Sequence, residues 1–154
     1  MTMFSSTFSV TAVTASVDIW EIVAPATGPV VLHRCVIGQT SDVGDAQEEI
    51  LPVLIKRGQT TSGSGGAPTI STGDLGLTGA SFGGTLEGLN TTKATAGTIL
   101  TLYSDPWNVR GSWDWLPTPE TRIWIPASGR ATVELAAAPA DSITVSSTLI
   151  YELV

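Results

Sequence analysis

The chain has 154 residues, a formal net charge of −7 at pH 7 and a single cysteine. That length suits one domain able to bury roughly 68–70% of its unfolded surface without a disulfide or metal staple. The acidic balance, with only seven scattered Lys and Arg residues, argues against a nucleic-acid binder, and no apolar run approaches the roughly 18 residues of a membrane span.

Met1–Thr7 lacks the basic and apolar runs of a signal peptide and reads as a flexible arm of a protein made in a cytoplasm. Period-2 patterning then predicts strands at Phe8–Ala12 and Val17–Val23, with a turn at Pro25, Gly28 and Pro29. Val30–Ile37 is almost continuously apolar and reads as a central strand. The acidic run Ser41–Glu49 offers the one helix candidate, a single turn capped by Ser41. Ile50–Arg57 is a further strand, placed at an edge or next to a bulge because Pro52 cannot donate to a ladder.

Gly58–Thr98 holds 11 of the 16 glycines and reads as one long loop with no regular element. Loops beyond roughly 12–15 residues are uncommon unless they are functional or disordered. Strands resume at Thr98–Tyr103, Thr121–Ile125, Arg130–Leu135 and Ile143–Leu153. About eight strands without helices predict an all-β protein, an antiparallel jelly-roll-like sandwich. A seven-stranded immunoglobulin-like sandwich is the alternative, disfavoured because its Cys…Trp…Cys spacing is absent.

Little in the chain promises catalysis. His33 and Cys35 share a strand face by spacing, but about 6.5–7 Å apart they are too distant for a nucleophile pair. A buried thiol and a partly buried histidine are the expectation. Asp42, Asp45, Glu48 and Glu49 are hard-oxygen residues of the kind that bind Ca²⁺, yet their spacing matches no EF-hand and a solvated loop is the simpler reading. Asp114, flanked by Trp113 and Trp115, would need a second acid for glycoside hydrolysis, and none is in view. No catalytic, cofactor-binding or metal residue is therefore assigned, and the protein is expected not to be an enzyme.

Four of the five tryptophans fall between Pro106 and Ile125: Trp107, Trp113, Trp115 and Trp124. Core packing is their commonest fate, followed by subunit-interface anchoring beside Arg110 and Arg122, then sugar stacking. Trp107, Arg110, Trp113, Trp115 and Arg122 are taken as candidate interface residues, together with Ser62, Gly63, Ser64, Gly65 and Gly66 of the long loop.

Val36–Glu49, Thr61–Gly66, Leu89–Thr92 and Trp113–Glu120, taken in order, resemble a family of small structural proteins of tailed-phage and prophage particles. The resemblance spans most of the chain. It implies a β-sandwich virion component, such as a capsid decoration (cement) protein, without catalytic residues. The partners it implies are the major capsid protein or other virion proteins and further copies of the chain, a trimer fitting a three-fold site on a shell. Nucleic acid and membrane are not among them. A carbohydrate-binding or receptor-recognition module of a tail or fibre is the alternative.

Overall fold

The computed structural model describes residues 1–40, 48–66 and 68–154, with the side chain of Val10 left aside. Most of the predicted helical turn Asp42–Glu49, with Asp42 and Asp45, lies outside the described residues, and its last two residues, Glu48 and Glu49, are not helical.

Among the described residues, eleven strands form two antiparallel sheets. They are β1 (Thr2–Val13), β2 (Val17–Val23), β3 (Val30–Gln39), β4 (Ile50–Thr61), β5 (Ser71–Asp74), β6 (Thr85–Asn90), β7 (Thr95–Asn108), β8 (Trp113–Trp115), β9 (Ile123–Ile125), β10 (Arg130–Leu135) and β11 (Ile143–Leu153). One sheet runs β5-β1-β11-β3-β8, with β9 also paired to β3; the other runs β6-β2-β10-β4-β7. With β5 and β6 set aside, the chain crosses between the sheets at each step except β4 to β7, which pair with each other, and β8 to β9, which both pair with β3; β1-β11-β3-β8 thus stands opposite β2-β10-β4-β7. That order is a jelly roll, with β8 and β9 dividing one position between them. No described helix is long and apolar enough to cross a membrane.

The alternation read from the sequence produces this core directly. In β11, Ile143, Val145, Leu149 and Tyr151 are buried, with half-exposed residues between them. Phe4 of β1 stacks on Tyr151 with ring centroids 5.6 Å apart, and Phe82 meets Tyr151 edge-on at 4.8 Å. Trp20 of β2 is fully buried against Phe8 and donates its indole N–H to Ser147 Oγ at 2.7 Å. Ser147 passes the bond to the Val36 carbonyl, so the one polar atom of Trp20 is satisfied inside the sandwich.

Four local expectations change. Thr2–Thr7 is not a free arm but the first half of β1, paired with β11 on one side and β5 on the other. The 58–98 segment is not structureless: β4 runs into it to Thr61, β7 begins in it at Thr95, and β5 and β6 extend the two sheets. The reason is backbone proximity that only glycine allows. A Cβ on Gly58 would run into the Thr98 carbonyl, one on Gly97 into the Gly58 carbonyl, and both residues have positive φ, +99° and +78°.

Strand β4 is interior, between β10 and β7, despite Pro52. The β10 ladder ends one residue earlier at Val53, and on the other side Pro52 faces Pro106, so no donor is left waiting. Finally, His33 and Cys35 do not work from one face. A register shift between β3 and β11 at this point turns His33 to Glu152 Oε2, 2.9 Å away, while Cys35 is fully buried. Burial pushes the Cys35 thiol up to about 12, which makes it inert.

Candidate interaction surface

Three of the sequence-selected tryptophans are core. Trp107, Trp113 and Trp115 are 1%, 4% and 4% exposed, which removes them as direct contact residues. In β8 the odd positions point inward and Asp114 outward, so the shared side read for Trp113 and Trp115 is the buried one. Their polar atoms are satisfied internally: Trp107 Nε1 donates to the Gly111 carbonyl at 2.9 Å and Trp113 Nε1 to Asp105 Oδ2 at 3.2 Å. Arg110 is exposed beside them and Arg122 is half-buried.

Asp114 is held by a fork from Arg34, Nε to Oδ1 at 2.9 Å and Nη2 to Oδ2 at 2.7 Å. The hydrogen bond from Arg34 keeps its carboxyl below the ordinary carboxylate range. That is the reverse of the raised acid a glycosidase requires. Glu48 is exposed, and Glu49 Oε1 accepts the Ala140 N–H at 2.5 Å. Among the described residues, His, Cys, Asp and Glu form no group of three suited to a metal.

The glycine-serine segment proves to be a cover rather than an arm. Glu21 of β2, 1% exposed, accepts Ser62 Oγ and the Gly63 N–H, each at 2.9 Å, and Asn90 Nδ2 at 2.9 Å. Arg130 Nε lies 2.7 Å from Glu21 Oε1, an ion pair without hydrogen-bond alignment. Ser64 and Thr92 exchange backbone bonds of 2.9 and 3.0 Å. Gly63 is buried, whereas Ser62, Ser64, Gly65 and Gly66 are exposed on the outside of this cover.

A second buried carboxylate lies under the same cover. Asp18 accepts the Ala94 N–H at 2.8 Å through Oδ2, and its Oδ1 is buried with no partner. Burial, with the Glu134 and Glu21 charges adding to it, pushes its carboxyl up to about 6 against the opposing Ala94 bond. Burial also raises Glu134, but hydrogen bonds from Lys56 and Lys93 outweigh this and hold it below the usual range. A raised acid in a cleft suggests catalysis; Asp18 is 1% exposed beneath backbone and opens onto no cleft.

The opposite margin of the same sheet is bare. Strand β7 closes it as a terminal strand of 14 residues, and every residue from Thr95 to Ser104 is exposed. Ile99, Leu100, Leu102 and Tyr103 are 37–48% exposed there. These ten residues contain no charge. Tyr103 leans on the sheet opposite, its ring 6.0 Å from Trp115 and 6.4 Å from Trp113. Beside it a groove of about 430 Å³ runs between Leu102, Asp114, Leu116 and Pro117.

Trp124 of β9 is the tryptophan left outside, 51% exposed between buried Ile123 and Ile125. It borders a groove of about 760 Å³ shared with Pro29, Arg57, Gln59, Pro126 and Arg130, and its carbonyl accepts Arg57 Nη1 at 2.5 Å. The Ile-Trp-Ile alternation was the sequence signal for this residue, as Trp-Asp-Trp was for the buried pair.

No family model matches the chain, and no curated protein matches it. Among solved structures it is matched to one titled "Structure of infectious bursal disease virus Gx strain", at 17% identity and a TM-score of 0.12. The match covers 99% of this chain but 38% of that one, and at this TM-score it supports no argument about family or function.

Proposed function

We propose that the protein is a non-enzymatic structural component of a phage particle, in the role of a capsid decoration or cement protein. The observation that carries this reading is the pairing of a closed jelly roll with one long, uncharged, apolar edge. A cement protein holds to neighbours through many modest contacts multiplied by symmetry, and avidity replaces single-site affinity. Such a role calls for a rigid body and an exposed contact strip rather than a cleft. The family resemblance of the sequence points the same way. The strip lies on β7 and the β8–β9 rim, with Arg110 at its end, in place of the buried tryptophans first considered. Its partners are the major capsid protein or other virion proteins, together with further copies of the chain.

The test is quantitative mass spectrometry of gradient-purified particles from the source that encodes the chain. Copies in a simple ratio to the major shell subunit support the decoration role. Complete absence from the particles overturns it.

One observation favours a second reading, a carbohydrate- or receptor-binding module. Trp124 is half-exposed at the rim of the larger groove, which Arg57 also lines, and an exposed indole beside polar groups is the kind of surface on which a sugar ring stacks. A glycan array with specific binding, lost in Trp124→Ala, would favour this reading over cement.

A further inference from the structure

We propose that β7 is a self-association edge, where two copies of this chain join antiparallel about a two-fold axis near Thr101 and their five-stranded sheets become one. An unpaired edge strand offers a row of N–H and C=O groups to any extended chain. Natural proteins blunt such edges with short strands, charges, proline, bulges or a covering loop. The other margins here are blunted. β5 has four residues, β8 and β9 three each, and β6 is short and covered. β7 has 14 residues, and between Thr95 and Ser104 it has neither charge nor proline. Two register shifts against β4 are the one blunting device it carries, and among the described residues no strand pairs with its outer side.

The symmetry of the run selects the occupant: Ile99-Leu100-Thr101-Leu102-Tyr103 reads the same in polarity from either end, so it is complementary to itself in an antiparallel pair. Each copy carries −7, so most approaches of one copy to another bring like charges together. The uncharged run of β7 is a margin where two copies meet without that repulsion. Beneath it on β4 lie Lys56 and Arg57, opposite Thr101 and Leu100, and Asp105 follows the run, so the rim is mixed in sign. An antiparallel pairing centred near Thr101 sets Ile99 and Leu100 of one copy against Tyr103 and Leu102 of the other. Aliphatic–aromatic cross-strand pairs of this kind stabilise a sheet. Pro106 ends the run, which limits the shared ladder to Gly97–Asp105. Such a contact is isologous and makes a two-fold dimer, where the sequence expectation was a trimer. It stands independently of whether the dimer decorates a shell.

Sedimentation velocity over a concentration series tests this with the full chain and with Leu100→Lys/Leu102→Lys. Both leucines are 40–48% exposed, so the variant retains the wild-type far-UV spectrum and melting profile. The expected result is a wild-type dimer and a variant whose association is weaker by about ten-fold or more. A cysteine placed singly at Ile99, Leu100, Thr101 and Leu102 locates the axis. The native Cys35 is fully buried, so only the new thiol oxidises readily. A covalent dimer from at least one of these variants, and none from Thr118→Cys, is expected. A wild type that stays monomeric, forms a trimer, or dimerises equally well with both lysines overturns the proposal, as does a scan in which no β7 cysteine cross-links.

Discussion

The two edges of the five-stranded sheet are built on opposite principles. At β6, the strand ends in Asn90, held on Glu21, and the 63–66 segment lies over it so closely that a Cβ on Gly66 would strike the Gly88 carbonyl. At β7, ten successive exposed residues carry no charge, and no described residue covers them. Glycine is the residue that permits the first arrangement, since backbone can then approach backbone. The lesson is that the glycine-rich segment protects one edge of this sheet, and the apolar strand leaves the other available.

The largest effect is expected from breaking the cover at its root. Glu21→Ala removes the acceptor for Ser62, Gly63 and Asn90 and leaves Arg130 half-buried without its partner. Loss of one member of a buried ion pair costs about 3–5 kcal/mol. Urea unfolding of the variant should show a midpoint lowered accordingly, with faster proteolysis near Ser62–Gly66 than at β7.

Next in size, Gly66→Ala forces a methyl group against the Gly88 carbonyl and to 2.7 Å from Asn90 Oδ1. Overpacking of this sort costs about 1–3 kcal/mol. Gly73→Ala on β5, with nothing within 4 Å of the added Cβ, is the matched control and should change thermal stability little.

A third change acts beneath the cover with the opposite sign. Asp18 has its carboxyl raised from 3.8 to about 6 in the folded protein, so the folded state takes up its proton more readily than the unfolded one. Its contribution to stability is complete below pH 3.8 and is lost as pH rises through 6. The loss is at most about 3 kcal/mol for a shift of this size. Asp18→Asn should therefore be more stable than wild type at pH 7 and lose that advantage near pH 4. Denaturant midpoints measured at the two pH values check this, and an Asn variant less stable at pH 7 would contradict the assignment.

At the bare edge the effect on stability is the smallest. Leu100→Lys and Leu102→Lys lie at exposed sites and should shift the folding free energy by no more than about 0.5 kcal/mol each. The contrast with Glu21→Ala sharpens the comparison: one edge contributes to folding, the other to association.

Most of the sandwich was legible in the sequence because period-2 burial is a local signal. The eight strands read from alternation all occur, and the absent Cys…Trp…Cys spacing pointed rightly away from an immunoglobulin fold. What stayed hidden was non-local. Ser71–Asp74 and Thr85–Asn90 are poor strands by composition and become strands because β1 and β2 offer them ladders. The start of β1 is likewise a weak signal, with Ser5, Ser6 and Thr7 in a row, yet alternate Phe4, Ser6 and Phe8 are buried once β1 pairs with β11. For the site, aromatic density drew the eye to Trp113 and Trp115, while parity, applied strictly, would have buried them and left Trp124 outside. The exposed β7 escaped notice because Thr98–Tyr103 reads as an ordinary strand. Only the sheet order shows that it has a partner on one side.

The most direct measurement is amide hydrogen exchange followed strand by strand at low and high protein concentration. Concentrating the sample should protect Ile99–Ser104 and leave Thr85–Asn90, already closed by its cover, unchanged. Exchange at β7 that is independent of concentration, or protection gained at β6 instead, would contradict the claim that β7 is the open edge.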